Sequence, residues 1–206
     1  MKISKILVIL FLGFFVFTSC EDGKKKAEEE KESLERQEAE RAAELQAEEE
    51  RMEWEANSIA AKTMEDDSLS SFSGALQNAE LAQTFTEEEG PYTIFAPTNE
   101  AFEKVDQAIL DTLMKSENRE MLSDVLKYHV VEDEITAKEL SERIDEGNGE
   151  YSLTTLTGTS LTALKSGDDI LLKGENGNTA KITKTDLEAS NGVIHQIDGV
   201  VMRKKS

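Results

Sequence analysis

Residues 92–102 read Tyr92-Thr93-Ile94-Phe95-Ala96-Pro97-Thr98-Asn99-Glu100-Ala101-Phe102. The first four are aromatic or β-branched, the side chains that fit a packed, pleated surface. Pro97 has no N–H to give a sheet ladder, and it pushes Ala96 into extended backbone. Thr98 or Asn99 then caps a helix whose apolar residues, Phe102, Val105 and Ile109, recur at three- and four-residue spacing. The stretch predicts a buried strand that stops at a proline and turns directly into a helix.

Upstream, Ile59, Ala60, Met64, Leu69, Phe72, Ala75, Leu76, Ala79 and Leu81 space out as one or two amphipathic helices, followed by a polar loop over Thr84 to Gly90. Downstream, Ile109, Leu110, Leu113 and Met114 mark a short helix. Glu120 to Lys127 forms another, with Met121, Leu122, Val125 and Leu126 on its apolar face, and it feeds a β-type run, Tyr128-His129-Val130-Val131. Thr136 caps a helix that carries Leu140 and Ile144 and ends at Gly147. The pattern then switches to strands: Tyr151 to Leu156, Leu161 to Leu164, Ile170 to Lys173 and Ala180 to Thr183, with a hairpin signal at Glu175-Asn176-Gly177-Asn178. Asn191-Gly192 is a second turn signal, ahead of a buried strand over Val193 to Val201 with Gly199 as its bulge. Helices come mostly first and strands mostly last, so the fold class is α+β and not a parallel α/β sheet.

The chain has 206 residues and a formal net charge of −20, which argues against a nucleic-acid partner, since that needs a basic face. Its single cysteine, Cys20, allows neither an internal disulfide nor a thiolate zinc cluster. Lys2 and Lys5 precede an apolar run from Ile6 to Phe17, which suits a signal peptide and is too short to span a bilayer. Residues 24–56 are almost entirely Glu, Lys, Arg, Ala and Gln, strong helix formers without proline. Leu34, Leu45 and Met52 are too few for a regular heptad seam. A solvated single helix, a weakly oligomerising coil and a disordered spacer all remain open; fully helical, the stretch would reach about 50 Å.

Two resemblances follow from these residues. Phe17-Thr18-Ser19-Cys20, directly after the apolar run, resembles the lipobox of bacterial lipoproteins, although leucine is usual where Phe17 stands. That implies a signal peptide over 1–19 and acylation of Cys20, with a membrane as first partner. Glu21 and Asp22 resemble the signal that sends some lipoproteins to the outer face of the outer membrane. Tyr92 to Phe102, Leu126 to Val131 and Asn191 to Val201 are similar, in order and spacing, to the three signature segments of the fasciclin domain. Thr155-Leu156-Thr157-Gly158 fits as well, whereas Val131-Glu132-Asp133-Glu134 departs from the proline-glycine turn of many members.

The resemblance implies a β-wedge of about seven strands flanked by helices over 56–202, after a spacer at 20–55 and before a basic tail at 203–206. It implies a surface-attached adhesion or matrix-binding module, with a protein or polysaccharide partner and without enzymatic activity or a cofactor. The alternatives are a structural envelope lipoprotein without a specific ligand, or an enzyme built on His129 and His195. In animal relatives adhesion is associated with positions that correspond here to Tyr128-His129 and Asp186-Leu187. Read from the residues alone, Tyr128 is a core aromatic, Asp186 a loop acid, and the two histidines are structural. No His-Glu-x-x-His spacing, Gly-x-Ser-x-Gly elbow, phosphate loop or calcium loop occurs, so no metal or catalytic site is expected.

Overall fold

The computed structural model describes the backbone of residues 4–204 and the side chains of residues 25–204. Cys20 and the signal-peptide reading lie outside the described side chains. The chain divides into a helical unit up to Met52 and a compact unit from Glu53. Helix α1 (Ser4–Ala56) makes the first unit. Its described side chains are exposed almost throughout, and i,i+4 pairs such as Glu32–Arg36 at 2.8 Å support it from outside. Of the states left open for the charged spacer, the helical one is present and the disordered one is not. Among the described residues no helix is long and apolar enough to cross a membrane.

The compact unit opens with helices α2 (Ile59–Glu65), α3 (Ser70–Asn78) and α4 (Thr84–Glu87). Strand β1 (Tyr92–Pro97) leads into α5 (Asn99–Glu103), α6 (Gln107–Leu113) and α7 (Arg119–Lys127). After β2 (Val130–Val131) and α8 (Ala137–Glu146) come β3 (Glu150–Thr154), β4 (Ser160–Ser166), β5 (Asp169–Lys173), β6 (Thr179–Ala189) and β7 (Gly192–Ile197). The seven strands make one sheet in the order β2-β1-β7-β6-β5-β4-β3. Its pairs are antiparallel except β1 with β7, which run parallel from Tyr92↔Gly192 to Pro97↔Ile197. The two edges approach each other: Val131 bridges to Thr155, and Leu156 N–H donates to the Val130 carbonyl, so the sheet nearly closes into a barrel. The α+β expectation holds.

Both faces of β1 are buried, which explains its uninterrupted apolar run. Tyr92, Ile94 and Ala96 face the helical layer of α2, α3 and α7, together with Leu76, Phe85, Leu126 and Ile194. Phe95 points the other way, into a second core with Tyr128, Leu140, Ile144, Leu161, Leu172 and Ile197. At the junction, Thr98 is the cap, accepting from the Ala101 N–H. Asn99 does a different task. Its side-chain oxygen accepts from Ser71 N–H at 2.9 Å and its amide donates to the Asp67 carbonyl, so it caps the neighbouring α3.

Five local expectations need correction. The polar loop expected over Thr84 to Gly90 holds a short helix, α4, because Phe85 turns into the core. The helix after Thr98 breaks at Lys104, because Asp106 restarts it by accepting from Ala108 N–H. Tyr128 and His129 are not in a strand: their N–H groups still bond the Asp124 and Leu126 carbonyls, so α7 runs on into a turn. β7 ends at Ile197, and Gly199 lies in a bend and not in a bulge. The irregular strand is β6, whose pairing with β7 shifts register between Ile182 and Lys184 and again between Lys184 and Leu187.

Asn191 is the densest tie in this frame. It is buried, accepts from Ile59 N–H at 2.9 Å, and donates to the carbonyls of Phe85 and Glu88. Asn191→Ala would strand a donor and two acceptors, so it should cost about 3 kcal/mol, read as a lowered urea midpoint with unchanged slope.

Candidate functional site

The two histidines and their neighbours occupy the middle of the fold. His129 follows α7 and is almost fully buried. Its Nδ1 lies 2.8 Å from the Val125 carbonyl, and its Nε2 lies 3.2 Å from Val201 N–H. One ring nitrogen faces an acceptor and the other a donor. Only the neutral tautomer protonated at Nδ1 satisfies both. His195, in β7, has the mirror arrangement. Its Nε2 faces the Ile135 carbonyl at 2.8 Å, and its Nδ1 accepts from Asp186 N–H at 3.2 Å. Burial pushes the His129 pKa down to about 4, against the pull of the Val125 carbonyl. Burial likewise lowers that of His195, opposed by its bond to Ile135 and by the Asp186 charge. Both rings are spent on main-chain groups, and His195 also lies 5.6 Å, centroid to centroid, from Phe95. Such an imidazole has no free nitrogen for proton transfer or a metal.

The positions tied to adhesion by resemblance are similarly engaged. Tyr128 is buried; its hydroxyl donates to the Ser160 carbonyl at 2.8 Å and accepts from Glu175 N–H at 3.1 Å. Burial raises its phenol pKa, despite the Glu175 N–H bond. Asp186 sits at a β6 register shift with φ of 57°. Its carboxylate accepts from Ala137 N–H at 2.8 Å, adding to the Thr136–Glu139 capping box of α8. Leu187 is half-buried against the helical-side core. Tyr128 and His129 thus lie inside and Asp186-Leu187 near the surface, and the four do not meet in one exposed cluster. Among the described residues no group of three or more His, Cys, Asp or Glu is placed to hold a metal ion.

What lies open is a groove of about 830 Å³ on the outer side of α6 and α7. Ile109 and Leu113 of α6, Met121 and Val125 of α7, and Met202 of the C-terminal segment form its walls, with Tyr128 behind. Helical spacing placed Met121 on the apolar face of α7, yet Leu122 and Leu126 fill the core and Met121 stays 52% exposed. Ile109 is 46% exposed. The signal in the sequence is an apolar stripe wider than the core it covers.

This geometry can be set beside known proteins. A family model for the fasciclin domain matches residues 67–203. "Protein sll1483" of Synechocystis sp. is 34% identical over 136 residues, 66% of this chain and 68% of that protein. The "cell surface glycolipoprotein MPB83" of Mycobacterium bovis is 34% identical over 133 residues, 65% of this chain and 53% of that protein. The solved FAS1 domain pair of the insect cell adhesion molecule fasciclin I superposes with a TM-score of 0.61, at 18% identity, over 71% of this chain and 51% of that one. That likeness carries the fold alone. The compact unit is an α+β near-barrel domain of the type found in proteins of cell surfaces. The chain belongs to the fasciclin family.

The buried histidines make acid stability a direct readout. Unfolded, each imidazole binds a proton near pH 6.5; folded, His129 resists until about pH 4. Between these values the unfolded state holds more protons, so the His129 contribution to stability falls as pH drops through 6.5 and levels off below about 4. The loss attributable to His129 should approach about 1.4 kcal/mol per pH unit within that window. Urea melts across pH 4–7 of the wild type and His129→Gln check this, the variant showing the shallower dependence.

Proposed function

We propose that this chain is a lipid-anchored cell-surface protein. On this reading the part of α1 that follows Cys20 is a stalk that holds a non-enzymatic fasciclin domain off the membrane, where the domain binds a partner in adhesion or matrix attachment. The observation that carries the reading is a fasciclin domain preceded by a long, solvated, charged helix in a chain that opens with Phe17-Thr18-Ser19-Cys20 after an apolar run. A relative at 34% identity whose name is that of a cell surface glycolipoprotein supports the surface location. The structural employment of both histidines supports binding over catalysis. Acylation of Cys20, the palmitate-type anchor that goes with it, and delivery to the outer face of an outer membrane belong to this proposal. Two or more acyl chains hold durably where one holds marginally, since each buried methylene contributes about 0.8 kcal/mol.

Two experiments test the two halves of the reading. Cys20→Ser should move the protein from the membrane fraction to the soluble fraction and abolish incorporation of a clickable fatty acid; a labelled variant contradicts the anchor. Removing about two heptads from residues 25–52 should shorten the stalk by about 21 Å. Whole-cell adhesion should then fall while the isolated domain binds its partner unchanged. An unrelated Glu-Ala-Lys helix of the original length should restore adhesion, whereas an equally long Gly-Ser coil should not.

A further inference from the structure

The groove between α6, α7 and residues 202–204 has no task in the fold. The exposed large hydrophobics of the compact unit are Met64, Ile109, Met114 and Met121, and three of these four lie on α6, at its end or on α7. The cavity of about 830 Å³ falls in the range of small-ligand sites, about 300–1,000 Å³. Its walls are mostly aliphatic and thioether groups, which adapt to a flexible apolar guest, with Thr112 and Asn176 as polar interruptions.

The walls also restrict what that guest can be. An extended peptide pairs best along a strand edge, and no residue that lines the groove belongs to a strand. The α6 and α7 backbones are bonded internally, while Met202 N–H donates to the Asn178 side chain and the Met202 carbonyl accepts from Asn176 N–H. A sugar ring needs an open aromatic face, and the one aromatic ring of the groove, Tyr128, is buried against the core. Recognition is left to apolar contact, with charge at the mouth.

The charge at the mouth is mixed: Asp124 lines the groove beside Arg203 and Lys204. The chain as a whole carries −20, yet Arg203 and Lys204 stand together on the rim. Arg203 pairs with the rim acid Asp124 at 2.8 Å. Lys204 donates its main-chain N–H to the Glu175 carboxylate at 3.4 Å, while its ammonium makes no ion pair with a described residue. An apolar trough with a cation at its mouth complements a single-chain anionic amphiphile. The geometry points to a binding site for a fatty-acid-class ligand, its chain along Ile109, Leu113, Met121, Val125 and Met202 and its carboxylate at Lys204.

The test uses sodium dodecanoate below its micellar concentration on residues 21–206. Both core clusters lie between Ile59 and Val201, so this form retains the whole fold. With methionine methyls labelled with ¹³C, the Met121 and Met202 signals should shift saturably, while those of Met52 and Met64 stay in place. Decanoate, two methylenes shorter, should bind about 15-fold more weakly if each methylene is worth about fourfold. Dodecanol should bind several-fold more weakly than dodecanoate, and Lys204→Glu should erase that difference. Met121→Glu and Ile109→Glu, both at exposed positions, should weaken dodecanoate at least tenfold, and Met64→Glu should leave it unchanged. Failure of dodecanoate to shift these signals overturns the proposal. So does binding that Met121→Glu and Ile109→Glu leave intact. Saturation only by phosphatidylcholine–phosphatidylglycerol vesicles, or only by an amphipathic helical peptide, would assign the groove to a bilayer or to a protein partner and equally overturn it.

Discussion

A buried amide side chain holds this domain together where its secondary structure cannot. Asn191 satisfies Ile59 N–H and the carbonyls of Phe85 and Glu88, so one residue before β7 fixes the start of α2 and holds α4 both within the helix and at its exit. The next residue fixes the sheet. Any Cβ at Gly192 would run into the Tyr92 carbonyl, and its φ of 148° disfavours a side chain. Tyr92 N–H in turn donates to the Asn191 carbonyl. The parallel pair β1–β7 starts in register here, so the helical layer and the sheet are locked by adjacent residues.

The same device recurs wherever regular pairing fails. A buried main-chain donor without a partner costs more than a formed bond gains, so irregular segments require side-chain acceptors. Thr93 accepts from Ile135 N–H and donates to the Asp133 carbonyl, holding the loop between β2 and α8. His195 takes the Asp186 N–H at the β6 irregularity, and His129 takes the Val201 N–H of the C-terminal segment. Tyr128 takes Glu175 N–H, and Asn178 takes Met202 N–H. Among the described residues no buried side-chain nitrogen or oxygen lacks a partner. The polar residues that stand out in the sequence as candidate chemistry are thereby accounted for as architecture, and function moves to the outer surface.

This division explains what could be read from the chain alone. The strand-to-helix junction at Pro97, the Thr136 cap and the Asn176-Gly177 hairpin are local chemistry, and all three stand in the structure. The role of Asn191-Gly192 was legible only as a turn, because its partners lie more than a hundred residues away. β6 was read as four residues because its second half, Lys184 to Glu188, is largely exposed and polar; its partner β7 makes it a strand. Tyr128 and His129 have strand-forming side chains, but the α7 hydrogen bonds carry past them. The groove is not legible in the sequence, because periodicity marks a residue as apolar without saying whether anything covers it. Leu122 and Met121 are neighbours in one stripe, one buried and one open.

The central claim is that side chains of the signature segments bind the irregular segments into one cooperative unit. Native-state hydrogen exchange with increasing denaturant measures this residue by residue. The amides of Ile59, Ile135 and Val201 lie in or beside loops, yet each donates to a buried side chain. The account predicts that they exchange only through global unfolding, with the free energy and denaturant slope of Ile94 and Ile194 in the central strands. Exchange of these three amides through local openings well below the global free energy would contradict it.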